Sequence, residues 1–243
     1  MLLLDLSLAS PAENLALDEA LLNECESGAC DEVLRFWQTP SPFVALGYVC
    51  KWRDEAHVEE CQSRGVPILR RASGGGTVLQ APGVLNYALI LRIEIGTPTE
   101  NLTSTNGFIM ERHRAALQSL LQGKISIRGT SDLVFETALD ARKFCGNAQR
   151  RRQKWLLFHG AFLLDCDLDL LSAVLRPPPR QPDYRAHRTH TDFVTNLHLP
   201  PEKIKTALCE IWNADAPRTD WPREAAQTLV AEKYTRDEWN FKF

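Results

Sequence analysis

Three consecutive glycines follow a pair of arginines in the segment Arg70–Val78, which reads RRASGGGTV. Glycine has no Cβ, so the backbone amides of such a run approach a ligand closely and adopt positive φ without strain. A nest of amide donors suits a phosphate, a carboxylate or an acyl carbonyl, and the arginines would add charge. The spacing is not that of a phosphate-binding P-loop. By itself the segment fits a ligand-binding loop and a glycine-rich hairpin turn with solvated arginines equally well.

A lysine in an alternating stretch is the second candidate for chemistry. Alternation along residues 140–152 places Lys143 and Cys145 on one side of a strand, with Arg142 and Phe144 on the other. If Phe144 points into the core, Lys143 faces a surface or a cleft. Beside the glycine loop it would neutralise an acyl carboxylate and a phosphate as charge develops between them. A solvated strand lysine is the ordinary alternative.

The composition excludes several classes of protein. The formal net charge is −3, which gives no reason to expect nucleic acid or an anionic membrane as partner. The N-terminal residues Met1–Asp5 do not resemble a signal peptide, and no apolar run approaches the ~18 residues of a membrane span. The seven cysteines form no C-x-x-C pair, so neither a zinc site nor a disulfide framework is predicted. A cytoplasmic protein with reduced thiols is expected.

The elements that must position these residues mix strands and helices irregularly. A capping-box pattern at Ser10–Glu13 predicts a helix to about Glu24, and further helices are expected over 54–64, 106–121, 168–175, 201–212 and 222–234. Strand-like runs lie between them, including 33–37, 85–91 and 155–164. This order predicts an α+β fold with mixed, largely antiparallel sheets packed with helices. The proline-rich, charged stretch Pro177–Arg188 is interpreted as a loop over a site.

Several short motifs occur in one order with regular gaps along most of the chain. They are the glycine segment, Asn86, Asp132-Leu133, Arg142-Lys143-x-x-Gly146-x-Ala148 and His159-Gly160. In this series the chain resembles the catalytic domain shared by lipoate-protein ligases, octanoyltransferases and, more distantly, biotin ligases. The resemblance implies a biotin/lipoate ligase-like catalytic fold. A biotin ligase is the weaker match because no Gly-Arg-Gly-Arg-type loop occurs.

The resemblance also implies roles for individual residues. Lys143 would be the active-site lysine that bridges the acyl carbonyl and the phosphate, and Asp132 would lie beside the adenylate and its Mg²⁺. The stretch Pro177–Arg188 would be the mobile loop that covers the adenylate. The implied binding residues are Arg71, Ser73, Gly74, Gly75, Gly76, Thr77, Asn86, Asp132, Gly146, Ala148 and His159. For His159, a satisfied core histidine is as good an interpretation as a direct ligand contact.

Two reactions run on this fold. A ligase activates lipoate or octanoate with ATP as an acyl-adenylate, which a lysine of a lipoyl domain attacks; an octanoyltransferase passes the acyl group through a cysteine thioester. The positions where the two transferase groups carry that cysteine hold Gly129-Thr130-Ser131 and Pro177-Pro178-Pro179 here. We therefore predict the ATP-dependent ligase. An octanoyltransferase that uses Cys145 remains the alternative, although a small buried filler is the better interpretation of that cysteine.

Departures from the family pattern qualify the prediction. Gln80 stands where the family typically has histidine, and 243 residues leave no room for the C-terminal accessory domain of two-domain ligases. A single catalytic domain over 1–243 is expected, with a separate accessory chain as a candidate partner. The other expected partners are lipoyl domains of 2-oxo acid dehydrogenase subunits or a glycine cleavage H-like protein. The basic run Arg150–Arg152 would steer their docking, or is a solvated strand end.

A non-catalytic binder of lipoate or nucleotide is the rival hypothesis, against which Lys143, Asp132 and Asn86 argue together.

Overall fold

A computed structural model gives the structure of the chain and describes residues 1–137 and 140–243. The strands are β1 (Leu2–Asp5), β2 (Val33–Trp37), β3 (Phe43–Leu46), β4 (Ile68–Arg70), β5 (Val78–Gln80), β6 (Val84–Arg92), β7 (Lys124–Arg128), β8 (Asp132–Glu136), β9 (Ala141–Arg151), β10 (Trp155–Leu163) and β11 (Ala216–Pro217). The α-helices are α1 (Pro11–Glu26), α2 (Trp52–Glu55), α3 (Val58–Ser63), α4 (Leu102–Gln118), α5 (Leu168–Val174), α6 (His190–Phe193), α7 (Pro201–Trp212), α8 (Arg223–Leu229) and α9 (Asp237–Asn240). A 3₁₀ turn (Asp183–Arg185) and a π-helical turn (Val230–Tyr234) complete the list.

Two sheets organise the described residues. The larger has eight strands in the order β11-β1-β2-β6-β10-β9-β8-β7, and the smaller has three in the order β4-β3-β5. Only the β1–β2, β1–β11 and β3–β4 pairs within these sheets are parallel. Helices pack against the strands, which confirms the predicted α+β class with mixed, largely antiparallel sheets.

Helix α1 begins where the sequence predicts. The Ser10 side chain accepts a hydrogen bond from the Glu13 amide, and the Ser10 amide donates one to the Glu13 carboxylate, so the capping box is complete. Leu17 and Leu21 are fully buried in a cluster with β10 and β6 residues. Asn14 and Asp18, one helical turn apart, are also buried, so α1 carries polar side chains into the interior at a defined place.

A β-bulge on β9 decides which way Lys143 points. The β8–β9 register pairs Leu133 with Cys145 and Val134 with Lys143, so Phe144 is the extra residue on β9. The prediction that Lys143 and Cys145 share a side is therefore wrong. The bulge shifts the alternation by one residue, and Cys145 joins Phe144 in the core while Lys143 faces away from it.

Other element boundaries differ modestly from the predictions. The helix expected over 54–64 is two short helices, because the chain is extended at Ala56, which bridges Leu175. Strand β9 runs from Ala141 to Arg151 and so covers most of the alternating stretch 140–152. None of the helices in the described parts of the chain combines the length and the apolar character needed to cross a membrane.

Candidate active site

A cavity of about 270 Å³ lies between the two sheets and under the segment that follows α5. Strands β5, β6, β9 and β10 form its walls, together with Arg71, Gly76 and Thr77 of the glycine loop (residues 71–77). Its apolar part is lined by Leu15, Trp37, Ala45, Leu79, Leu163, Leu171 and Phe193. Its polar part holds Arg71, Asp132 and Lys143. An apolar chamber with charge at one end fits an amphiphilic carboxylic acid.

Lys143 is held at the polar end by a carboxylate and, behind it, a phenol. Its Nζ lies 2.7 Å from Asp132 Oδ1, and the hydroxyl of Tyr184 donates to Asp132 Oδ2 at 2.7 Å. Burial and the neighbouring Asp132 raise the pKa of Tyr184, so the phenol stays protonated and keeps donating. A Cβ on Gly146 would lie 2.8 Å from Lys143 Cε and Nζ, so glycine is required there to let the lysine chain pass. The ammonium is thereby fixed before any ligand arrives.

Arg71 shapes the glycine loop from inside. Its guanidinium donates to the carbonyls of Gly74 and Gly76, at 2.6 and 2.8 Å, and to Ser73 Oγ at 3.0 Å. Burial lowers the pKa of Arg71 to about 10, which still leaves it charged at neutral pH. Both Arg70 and Arg71 are buried, so the alternative of two solvated arginines is wrong.

The carbonyls of the glycine loop accept hydrogen bonds from Arg71, whereas the N–H groups of its three glycines remain available to a ligand. Within residues 1–137 and 140–243, the N–H groups of Gly74, Gly75 and Gly76 donate no hydrogen bond. Gly75 has φ +80°, and a Cβ there would come within 3.0 Å of the Arg71 guanidinium. The next amide, of Thr77, donates to Glu55 at 3.1 Å. The loop can therefore offer backbone donors to an anionic or carbonyl oxygen.

A chain of hydrogen bonds runs from the loop to helix α1 through His159. Ser73 Oγ accepts from Arg71, so its own hydroxyl can donate to His159 Nε2, 2.6 Å away. His159 Nδ1 lies 3.2 Å from Asp18 Oδ2, and Asp18 forms a buried ion pair with Arg35 at 2.5 Å. Burial alone would raise the pKa of Asp18, but Arg35 and His159 outweigh it and the pKa is lowered. His159 thus lines the cavity and fixes the loop at the same time.

Asn86 reaches the same cavity from β6 and is buried. Its amide donates to Gln80 Oε1 at 2.8 Å, so two side-chain amides, on β5 and β6, form one polar strip in the wall. Gln80 stands at the position where the resemblance led us to expect histidine. A glutamine there carries no titratable charge, so this wall stays neutral across the physiological pH range.

The cysteines near the site are poorly suited to nucleophilic attack. Cys145 has 1% of its surface exposed, and its thiol faces Asn147 Oδ1 at 3.4 Å. Burial raises the pKa of Cys145 strongly, against the smaller lowering effect of Lys143. Cys50 lies behind the glycine loop, with its thiol 3.3 Å from the Gly75 carbonyl, and burial raises its pKa too. Both thiols are protonated at neutral pH, whereas the nucleophile would be a thiolate.

The predicted loop Pro177–Arg188 covers one side of the cavity and carries a cation that the sequence did not single out. Arg185 is buried and lines the cavity, with its guanidinium over the Phe193 ring at 4.7 Å. Its NH2 group finds no hydrogen-bond acceptor in the described part of the chain. Burial and the charge of Arg185 lower the pKa of nearby His190 to about 4, which leaves that imidazole neutral. A buried guanidinium with an unused donor is suited to an anionic ligand group.

Most of the predicted site residues meet in this one cavity. Those that line it are Arg71, Gly76, Thr77, Asn86, Asp132, Lys143, Gly146, Ala148 and His159. Ser73, Gly74 and Gly75 belong to the same loop but are not among the residues that line the cavity. Sequence reasoning missed Tyr184, Arg185 and the role of Asp18. Only Asp18 had a usable signal, since it lies four residues after Asn14 and both polar side chains therefore fall on one face of the helix.

The basic run after Lys143 is tied to the protein. Arg150 donates to the Ala72 carbonyl at 2.8 Å, Arg151 to the Thr99 carbonyl at 2.7 Å and Arg152 to Asn23 at 2.8 Å. These contacts give the run a structural role beside the glycine loop. Its role in docking a partner stays a prediction.

The residues fit a magnesium ion that arrives with a nucleotide better than a resident metal. No group of three or more potential metal ligands occurs among the residues that the structure describes. Asp132 is a single carboxylate whose oxygens already meet Lys143 and Tyr184. Mg²⁺ commonly takes one or two protein carboxylates and completes its shell with phosphates and water. Asp132 would be the protein ligand in that arrangement.

The sequence and the structure of this chain are similar to those of several known proteins. Octanoyltransferase LipM from Carboxydothermus hydrogenoformans is 30% identical, over 96% of this chain and 96% of that protein. A crystal structure of lipoate-protein ligase A bound with ATP is 26% identical, with a TM-score of 0.78 over 99% of this chain and 98% of the other. The bi-partite lipoate protein ligase solved with its E2 lipoyl domain, from Thermoplasma acidophilum, shares the fold at 24% identity, with a TM-score of 0.83 over 99% of this chain and 95% of the other.

The family model for the lipoyl protein ligase A/B catalytic domain matches residues 10–209, which include every cavity residue named above. The order of motifs along the sequence, the cavity they form and these similarities agree. The chain belongs to the lipoyl protein ligase A/B catalytic domain family.

Proposed function

We propose that this protein is an ATP-dependent lipoate-protein ligase, which activates lipoate or octanoate and transfers it to a lysine of a lipoyl domain. The observation that carries the proposal is the contrast between two residues at the same bulge. Lys143 reaches the polar end of the cavity as a fixed cation, while Cys145 is buried and protonated. These two features support a site that stabilises negative charge, in which Cys145 is poorly placed to act as a thiolate.

In the first step a carboxylate oxygen of the acid attacks the α-phosphorus of ATP, and pyrophosphate leaves. Negative charge grows on the oxygens between the two reactants. The Lys143 ammonium, held by Asp132, and the free amides of the glycine loop are suited to stabilise that charge. Mg²⁺, when bound with ATP at Asp132, would neutralise further phosphate charge.

In the second step the amine of the target lysine attacks the acyl carbon of the mixed anhydride. The acyl–oxygen bond breaks, AMP leaves with the electron pair, and the attacking nitrogen loses a proton. Lys143 again faces the oxygens on which charge develops. The same cation thus serves both half-reactions without moving.

An octanoyltransferase is the second candidate, and its support is the similarity to octanoyltransferase LipM over nearly the full length of both chains. That reaction needs a cysteine that forms a thioester. The cavity-lining residues in the described part of the chain include Cys145 alone of that type, with its thiol turned into the core. A transferase would have to expose it by rearranging the bulge at Phe144.

One pair of assays separates the two reactions. Purified protein is incubated with lipoate or octanoate and Mg·ATP, and released pyrophosphate and acyl-adenylate are measured. A parallel reaction contains octanoyl-carrier protein and an acceptor lipoyl domain without ATP. We expect pyrophosphate and adenylate in the first reaction. Acyl transfer only in the second would overturn the ligase and favour the transferase.

A non-catalytic binder would behave differently again. It would bind lipoate or nucleotide tightly and turn over neither donor. The acceptor is proposed to be a lipoyl domain of a 2-oxo acid dehydrogenase subunit or a glycine cleavage H-like protein. A ligase that forms adenylate but transfers it only after addition of a second chain would indicate an accessory partner.

A further inference from the structure

Arg70, the residue before Arg71, links the glycine loop to a neighbouring turn. It is fully buried, and its NH1 donates to the carbonyls of Gly47, Tyr48 and Cys50 at 2.8–3.0 Å. Three carbonyls on one guanidinium nitrogen fix the backbone of the turn over residues 47–50. No carboxylate is needed to hold the guanidinium, because backbone carbonyls surround it.

The turn over residues 47–50 packs directly against the glycine loop. A Cβ on Gly47 would lie 1.9 Å from the Gly75 carbonyl oxygen, so the two backbones are in direct contact. The Tyr48 amide donates to the Ser73 carbonyl at 2.8 Å, and the Cys50 thiol meets the Gly75 carbonyl at 3.3 Å. The position of the turn therefore sets the position of the loop.

The C-terminal clasp, which we define as residues 230–243, holds Arg70 from its other side. The Arg70 amide donates to Asn240 Oδ1 at 2.9 Å, and Trp239 Nε1 donates to the Arg70 carbonyl at 2.8 Å. Arg70 NH2 donates to the Asn240 carbonyl at 2.9 Å. Strand β4 lies at an edge of the small sheet, so the clasp satisfies backbone groups of Arg70 that no further strand reaches.

The clasp is anchored to helix α1. Lys233 Nζ approaches Glu19 Oε2 at 2.6 Å, and the Tyr234 hydroxyl donates to the same oxygen at 2.7 Å. Lys233 also lies 3.9 Å from the Trp239 ring centre. Helix α1 supports the loop by a second route, through Asp18 and His159 to Ser73. The loop is thus held between two supports that share one helix.

We propose that the clasp positions the glycine loop for acyl binding, with Trp239 and Asn240 as positioning residues that act through Arg70. The clasp lies beyond residues 10–209, the part of the chain that matches the family model. The inference rests on the proposed function only in so far as the loop contacts an acyl ligand. It is independent of the choice between ATP and a thioester donor.

The test uses the whole chain and three substitutions. Trp239→Phe keeps an aromatic ring beside Lys233 and removes the N–H that meets Arg70, together with part of the indole. Asn240→Ala removes the acceptor for the Arg70 amide. Trp221→Phe is the matched control, since Trp221 packs on the cluster of α1, β6 and β10 near α8 and does not contact Arg70. Amide hydrogen exchange over residues 71–77 is measured at the hydrogen-bonded amides of Arg71 and Thr77, well below each variant's Tm. The Kd for octanoate is measured under the same conditions.

We expect exchange in residues 71–77 to accelerate about fivefold in Trp239→Phe and about tenfold in Asn240→Ala, since each loses about one net hydrogen bond or more. The Kd for octanoate should rise by similar factors, with the control unchanged in both measurements. A purely structural role predicts a lower Tm with wild-type exchange in the loop and wild-type Kd, and that result would overturn the proposal. If the wild type binds no free acid, the proposed function fails, while loop exchange still decides the role of the clasp.

Discussion

Lys143 is a cation held by a carboxylate that is itself held by a phenol. In the proposed reaction, such an arrangement would orient the ammonium before the substrate binds, so that little reorganisation remains when charge develops in the transition state. The neighbouring Gly146 leaves room for the lysine chain, since a Cβ there would lie 2.8 Å from Lys143 Nζ. The geometry favours lysine at this position over any other cation.

We expect Lys143→Ala to lower kcat/KM for adenylate formation about 10²–10³-fold, the range for loss of a preorganised electrostatic group. Lys143→Arg should not restore activity, because its planar, bulkier head does not fit beside Gly146. Lys154→Ala, at an exposed lysine between β9 and β10, is the control. Full activity in Lys143→Ala would refute the assignment of the site.

Tyr184→Phe tests the support behind Lys143. The change removes the hydrogen bond to Asp132 Oδ2 and keeps the ring against Phe193. A loss of about one net hydrogen bond predicts a three- to tenfold decrease, roughly, in kcat/KM. Steady-state kinetics with ATP and lipoate would measure it. Unchanged kinetics would mean that Asp132 and Lys143 need no support from the covering segment.

Cys145→Ser, which replaces one sulfur atom by oxygen, distinguishes the ATP-dependent ligase from the thioester transferase. The serine hydroxyl can meet Asn147 as the thiol does, so for a ligase we expect activity within about twofold of wild type. Intact-mass analysis after incubation with octanoyl-carrier protein would reveal any acyl-enzyme. An adduct in the wild type that disappears in Cys145→Ser would establish the thioester route instead.

At the scale of elements, the segment from α5 to α6 connects the covering loop to the active-site strand. Thr195 donates to the Lys143 carbonyl at 2.9 Å, and Val194 forms a bridge with Lys143. Tyr184 and Arg185 lie in the 3₁₀ turn of the same segment. A movement of this segment would change the contacts of Lys143 and open one wall of the cavity together.

Arg185→Gln tests whether the covering segment recognises an anion. The guanidinium has an unused donor at the cavity, so we expect the KM for ATP to rise about tenfold, as for loss of a charged hydrogen bond. The Kd for lipoate should stay the same. Arg53→Gln, at an exposed arginine on α2, serves as the control. An equal loss of lipoate affinity would place Arg185 at the acid rather than at the phosphates.

At the scale of the whole molecule, helix α1 joins the interior of the large sheet, the active site and the C-terminal clasp. Its buried carboxylates, Asp18 and Glu19, carry these connections. Burial alone would raise their pKa values, but Arg35 and His159 outweigh it at Asp18, and Lys233 and Tyr234 outweigh it at Glu19. Both pKa values are therefore lowered from their ordinary values of 3.8 and 4.5.

A lowered pKa predicts the direction of the pH dependence of stability. As the pH falls below the ordinary pKa values, the unfolded chain binds more protons at these carboxylates than the folded chain does. Their contribution to the free energy of unfolding is therefore complete above about pH 5 and is lost as the pH falls. Glu19→Gln should lower the free energy of unfolding by about 2 kcal/mol at pH 7, and its difference from wild type should shrink towards pH 4. Denaturant unfolding at both pH values measures this. The prediction would be contradicted if the difference in the free energy of unfolding were the same at both pH values. It would also be contradicted if Glu59→Gln, at an exposed site, had an equal effect.

The family, the fold class and most of the residues that line the cavity could be predicted from the amino-acid sequence alone. The ordered motifs require no knowledge of the fold, because each residue type carries its own chemistry and spacing. The capping box at Ser10 and the boundaries of β2 and α7 were predictable because they depend on local pattern alone.

Only the tertiary structure decided which residues meet and which way they face. The bulge at Phe144 separates Lys143 from Cys145, and a one-residue shift in strand alternation cannot be seen without the partner strand. Tyr184 reaches Asp132 across 52 residues, and Asn240 reaches Arg70 across 170. Such contacts join residues in loops and near the C-terminus whose local sequence gives no sign of burial. Local periodicity carries no information about them, since they form only when the sheets and helices have packed.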